Sequence, residues 1–234
     1  MVDSFAGGIR DAEGLRGYLE VAPEDVVAVD LTKGSVLWRR ERVGRPIAAT
    51  ASRLLTLDRD GNAFVLRFLD AATGVDVGRV KDFGMPDWAA QAGTERDALQ
   101  TEASQVPTGI RLAWRLRRPY RGGAPPPRHI EAQAREESTG AIVVDVNSGQ
   151  VAPADAAAPA AARMAPADLG PHAKPEPDVY ALDRVGDRLF ALRAQAGPDQ
   201  AVVTLEARRA GDGSVLWRVP LTQAQPGRPT PQRK

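Results

Sequence analysis

Val26-Val27-Ala28-Val29-Asp30, Leu31-Thr32-Lys33-Gly34 and Ser35-Val36-Leu37-Trp38-Arg39-Arg40 form one continuous passage that reads as a strand, a tight turn and a second strand. The β-branched valines favour the pleated surface of a sheet, where their stiff χ1 costs little. Asp30 opens the turn, where its side chain can accept bonds from backbone N–H groups further along, and Gly34 closes it, free to take a positive φ. The second half of the passage returns near the other end of the chain. Gly213-Ser214-Val215-Leu216-Trp217-Arg218 repeats Gly34 to Arg39 letter for letter.

Two further copies lie between these. Phe64-Val65-Leu66-Arg67-Phe68-Leu69 runs into Asp70-Ala71-Ala72-Thr73-Gly74, and Ala141-Ile142-Val143-Val144 runs into Asp145-Val146-Asn147-Ser148-Gly149. Around Gly149 the tryptophan position is absent or replaced. The copy before Trp217 passes from Val202-Val203-Thr204-Leu205-Glu206 through Arg208, Arg209 and Gly211 to Gly213, and its turn reads as longer and without the Asp. This last copy also displays a whole unit of four strands: Val179 to Leu182, Arg188 to Leu192, Ala201 to Glu206 and Ser214 to Pro220. Gly186-Asp187 and Gly197-Pro198-Asp199 punctuate it, as Asp60-Gly61-Asn62 punctuates a second such unit.

The run Val-Ala-Val-Asp-x-x-x-Gly-x-Val-Leu-Trp resembles the PQQ-like β-propeller repeat, in which a strand ends in Asp, turns on Gly and resumes toward Trp. The resemblance implies an all-β chain, a β-propeller-like array of about four four-stranded blades with a Pro/Ala-rich loop insertion. On this reading residues 1–12 are an N-terminal tail and 13–44 a partial first blade short of its opening strand. Residues 45–87 are a second blade and 88–151 an irregular third one with a long hairpin. Residues 152–177 are an Ala/Pro-rich loop, 178–222 a fourth blade and 223–234 a disordered tail. Full-length propellers of this kind resemble rings of seven or eight blades, so the resemblance implies about half a ring, completed by a second copy or a protein partner.

Composition narrows the function classes. The chain has 234 residues, 31 basic and 30 acidic side chains and a formal net charge of +1, so no global field draws in nucleic acid or an acidic membrane surface. It has no cysteine, which excludes disulfides, thiolate metal sites and cysteine nucleophiles. No window approaches the roughly 18 apolar residues of a membrane span. The N-terminus, as it stands, lacks a signal peptide, which implies a cytoplasmic protein, or a periplasmic or cell-envelope one if the natural start lies upstream.

Candidate chemistry is sparse. Quinoprotein dehydrogenases, which carry similar blades, hold calcium and a quinone with Glu, Asn and Asp ligands and commonly a cysteine pair. The pair is missing here, and no residue matches such a site one by one, so no cofactor, no metal ligand and no catalytic residue is assigned. Trp38 and Trp217 read as packing residues between blades; Trp88 and Trp114 lie outside the repeat position. The two histidines, His129 and His172, lie in proline-rich segments without companion ligands. Arg115, Arg117, Arg118, Tyr120, Arg121 and Arg128 interleave basic and aromatic groups and stand as a possible interaction surface, with Glu131, Glu136 and Glu137 placed to neutralise it. The repeat positions themselves, Asp30, Gly34, Trp38, Asp70, Gly74, Asp145, Gly149, Gly213 and Trp217, read as structural. The resulting expectation is a non-catalytic interaction scaffold with a protein partner or a homo-oligomeric one; a quinone- or small-molecule-binding enzyme is the alternative.

Overall fold

In a computed structural model of the chain, the described residues are 4–5, 8–11, 13, 15–22, 25–81, 83–91, 99–117, 137–155, 176–196 and 201–222. They form antiparallel sheets, each built from strands consecutive in sequence. Blade 1 is β1 (Ser4–Phe5), β2 (Gly8–Arg10), β3 (Arg16–Ala22), β4 (Asp25–Asp30) and β5 (Ser35–Arg40). Blade 2 is β6 (Arg45–Ala49), β7 (Arg53–Asp60), β8 (Ala63–Asp70) and β9 (Asp76–Val80). A short 3₁₀ turn at Asp87–Gln91 leads to blade 3: β10 (Leu99–Val106), β11 (Gly109–Arg117), β12 (Glu137–Val144) and β13 (Val151–Pro153). Blade 4 is β14 (Val179–Val185), β15 (Arg188–Ala196), β16 (Ala201–Arg209) and β17 (Val215–Pro220).

The fold is therefore all-β, a propeller-like array of meandering sheets. Blade 1 is not short of its opening strand: β2 supplies it and β1 adds a further one, within the stretch that reads as a tail from sequence. These strands are two and three residues long, too short to display the alternation by which a strand is recognised. The stretches 118–136, 156–175 and 223–234, which hold the long hairpin, most of the Ala/Pro-rich loop and the C-terminal tail of the sequence reading, lie outside the described residues.

The Asp-to-Gly turns are alike in bonding. Asp30 Oδ1 accepts the amides of Thr32 (2.8 Å) and Lys33 (3.0 Å), and Gly34 N donates to Asp30 O (2.8 Å). Asp70 with Ala72, Thr73 and Gly74, and Asp145 with Asn147, Ser148 and Gly149, do the same. The closing glycines take φ of 68°, 70° and 72°. The fourth turn corrects its sequence reading, for it has gained no length. Gly213 N donates to Arg209 O at 2.8 Å, so Arg209 occupies the Asp position, and the acid has moved to Asp212, which holds Ser214 instead.

Apolar faces join the blades in the spatial order 4–1–2–3. Phe190, Leu192, Leu205 and Ala207 of blade 4 pack on Leu19, Val27 and Val29 of blade 1. The opposite face of blade 1, with Tyr18, Val26 and Trp38, packs on Leu54, Leu69 and Ala71 of blade 2. Leu55, Leu66 and Phe68 of blade 2 then pack on Ile110, Leu112, Trp114 and Ile142 of blade 3. Because successive strand residues point to opposite faces, a blade inside the stack must be apolar on both. The pattern iBBBBi along β4 shows this.

Candidate functional site

The junctions between blades hold the most specific geometry. In blade 1 Tyr18, Ala28 and Trp38 stand side by side across β3, β4 and β5. In blade 4 the same row is Phe190, Ala207 and Trp217. The small alanine leaves room for the indole, and each tryptophan leans on its aromatic neighbour, Tyr18–Trp38 at 5.9 Å and Phe190–Trp217 at 5.8 Å between ring centroids. The residue before each tryptophan, Leu37 or Leu216, falls at a break in register between the last two strands. Such a bulge re-aims the side chain that follows.

So aimed, each indole lies on the closing glycine of the next blade's turn. Trp38 covers Gly74, where a Cβ would stand 2.7 Å from Cδ2, and Trp217 covers Gly34. Trp38 Nε1 also donates to Ala71 O at 3.1 Å. At the other junction Arg188 takes the corresponding carbonyl, Leu31 O, at 2.8 Å, and Trp217 Nε1 finds no acceptor among the described residues.

Blade 2 breaks the row. Its residues are Leu55, Phe68 and Gly78, so the aromatic mass sits one strand inward and the tryptophan position holds glycine. The register break before that position persists between Phe68 and Leu69, and Gly149 of blade 3 keeps its φ of 72°. Phe68 reaches toward Gly149, its Cε2 3.9 Å from where a Cβ would lie. A cleft of about 160 Å³ remains between Gly78 and the turn Val146–Gly149, with Arg53 and Arg79 also lining it. Blade 3 departs further, carrying Pro153 at the tryptophan position and no register break beside it.

A second cavity, about 320 Å³, opens where the inner strands β2, β6 and β10 converge, lined by Ile9, Glu20, Arg45, Ile47 and Thr101 among others. Arg45 donates to Thr101 Oγ1 at 3.0 Å across it. Among the described residues no group of three or more His, Asp or Glu side chains is placed to hold a metal, and both histidines lie outside those residues.

The outward faces of the end blades are charged. On blade 4, Arg193 bonds Glu176 (2.6 Å), Asp178 (2.8 Å) and Glu206 (3.2 Å), and Arg208 and Arg218 also reach Glu206, whose side chain is fully buried. Burial alone would raise the Glu206 carboxyl, but Arg218, Arg208 and Arg193 outweigh it and hold the group below its ordinary range. Arg193 is desolvated too, and its acidic partners still raise its pKa. On blade 3, Arg115 and Arg117 project beside each other and share Glu137, at 2.6 and 3.4 Å. Arg118, Tyr120, Arg121 and Arg128 of the sequence-read surface lie outside the described residues.

The sequence reading did not anticipate the blade 4 network or the vacated position at Gly78. For the second, a signal was present: the fourth residue after each closing glycine reads Trp38, Gly78, Pro153 and Trp217. For the first there is none, because Glu176 lies at the end of the Ala/Pro-rich stretch and Asp178 at the very start of the blade, and neither sits in a strand pattern.

Neither known sequence families nor curated proteins match this chain. Solved structures do match. BamB from Moraxella catarrhalis aligns with 12% identity over 88% of this chain and 46% of its own, at a TM-score of 0.31. Quinohemoprotein alcohol dehydrogenase from Comamonas testosteroni aligns with 14% identity over 88% and 33%, at 0.37. TolB from Acinetobacter baumannii aligns with 14% identity over 88% and 41%, at 0.35. The chain thus spans less than half the length of each of these three.

Proposed function

We propose that the chain is a non-catalytic protein-interaction scaffold, a segment of a larger assembly in which a partner protein or a second copy covers the ends of the blade stack. The observation that carries this reading is the contrast between inner and outer blade faces. Three apolar clusters join the blades in the order 4–1–2–3, and none joins blade 3 to blade 4 among the described residues. The outer face of blade 3 instead bears Glu102, Arg111, Arg115 and Arg117, and that of blade 4 bears Arg208 and Arg218 around the buried Arg193–Glu206 pair. Charged faces of this kind supply orientation and encounter rate rather than raw affinity, and they keep the isolated stack from adding blades at random.

Light scattering on a size-exclusion column tests it. A mass near twice the 25.0 kDa of one chain assigns the ends to a second copy, and a mass near 25.0 kDa assigns them to a different protein. Calcium-dependent binding of a quinone accompanied by dehydrogenase turnover overturns the non-catalytic reading.

A further inference from the structure

We propose that the vacated tryptophan position between blades 2 and 3 is a receptor for an aromatic side chain, tryptophan above all, presented by the partner; this rests on the scaffold reading. The chain itself shows twice what such a place holds. At the other two junctions an indole follows a register break and lies on a turn glycine with positive φ. Between blades 2 and 3 the break and the glycine are both retained, and only the indole is missing. Gly78 has no positive φ, so no backbone demand accounts for glycine there.

The cleft's walls suit an arriving ring. Phe68, itself almost wholly buried, closes one side and the turn Val146–Gly149 supplies a backbone floor. Arg53 and Arg79 also line the cleft, held by Asp70 at 3.4 Å and Asp76 at 3.1 Å, and their planar guanidinium groups can stack on an indole face. Val77 lines it and is about half exposed, at 47%. This side chain gives a flanking residue of a peptide an apolar contact. Tryptophan is favoured over phenylalanine because Val146 follows Asp145 as Ala71 follows Asp70, which puts its carbonyl at the place that accepts the Trp38 indole N–H.

N-acetyltryptophanamide titrated into the ¹⁵N-labelled chain tests the site without any partner. Saturable amide shifts at Gly78, Asn147, Ser148 and Gly149, with roughly millimolar affinity, are expected, as for a small ligand in a partly open cleft. N-acetylphenylalaninamide should bind more weakly. Gly78→Trp should raise Tm and weaken the probe by about tenfold or more, and Gly78→Leu serves the same purpose if that variant does not fold. Shifts that never saturate, shifts centred elsewhere, or binding indifferent to both substitutions overturn the proposal. Equal binding of the two probes overturns the preference for tryptophan. Failure of the probe dismisses the receptor alone, since what overturns the scaffold reading is calcium-dependent quinone binding with dehydrogenase turnover.

Discussion

The junction between blades 1 and 2 and the junction between blades 2 and 3 use one backbone plan with two different fillings. In the first, Trp38 spans the gap, caps Gly74 and bonds Ala71 O. In the second, Phe68 approaches from the neighbouring strand, Gly78 stands where the indole would start, and a cleft remains. The register break before the position and the left-handed glycine across from it are common to both. The backbone plan of a junction is thus independent of the side chain that fills it. What tryptophan adds is closure, which makes the first junction stiffer toward substitution and the second more open to a visitor.

The largest expected effect comes from imposing the second filling on the first junction. Trp38→Gly removes a nearly buried indole and its hydrogen bond, and should cost about 3–5 kcal/mol in urea unfolding, the range for deleting a large core aromatic. Ala28 sits beside Trp38 as Phe68 sits beside Gly78. Ala28→Phe alone should overpack a fully buried site, at about 1–3 kcal/mol. Together the two substitutions recreate the Phe68–Gly78 pair of blade 2 beside Tyr18, and their combined cost should fall short of the sum by about 1–3 kcal/mol. Strict additivity would mean that a phenylalanine so placed does not compensate for the missing tryptophan.

A smaller effect should separate the two receiving glycines. Gly74→Ala must both hold alanine at a φ of 70° and push its Cβ against the Trp38 ring, where it would stand 2.7 Å from Cδ2. Left-handed strain of about 1–2 kcal/mol and overpacking together predict about 2–4 kcal/mol. Gly149→Ala bears the same strain at a φ of 72°, but among the described residues meets only Phe68, at 3.9 Å, so about 1–2 kcal/mol is expected. Equal losses in the two variants would show that the indole yields readily, and the distinction between a closed and an open junction would fail.

The sequence announces this architecture unevenly, and the reasons are physical. Turn chemistry is local: Asp30, Asp70 and Asp145 each bond amides two and three residues on, so the spacing to Gly34, Gly74 and Gly149 displays the turn directly. The fourth turn misleads because Asp212 does related work from a different place, which made a turn of ordinary length look long. Strands β1 and β2 are too short to carry a period. The contact of Trp217 with Gly34 joins residues far apart in the chain, and only the folded order 4–1–2–3 reveals it. Arg193, Glu176 and Glu206 likewise meet only in three dimensions.

The smallest expected effect concerns the turns themselves and is best read by acid. Asp70 is held below its ordinary pKa chiefly by the Thr73 hydroxyl and amide, Asp145 chiefly by the Asn147 amide and Asp30 chiefly by the Thr32 hydroxyl. A carboxylate lowered in the folded state lends stability that is complete above its unfolded pKa near 3.8 and is lost as pH falls through the folded value. These groups are partly exposed, so each contribution is screened and should fall below that of either glycine. Asn offers the same carbonyl-type acceptor without the charge. Asp70→Asn should therefore lower the neutral-pH Tm slightly, by the amount the charge contributes, and flatten its decline below pH 4 by the same amount, whereas Asp70→Ala should lower Tm at neutral pH further. Asp145→Asn and Asp145→Ala should repeat the pattern at somewhat smaller size, because Asp70 also faces Arg53 at 3.4 Å. A loss at Asp70 that still exceeds the loss at Asp145 when both are measured in an Arg53→Gln background would show that Trp38 and its turn are held cooperatively, and that closing a junction stiffens the loop beneath the ring.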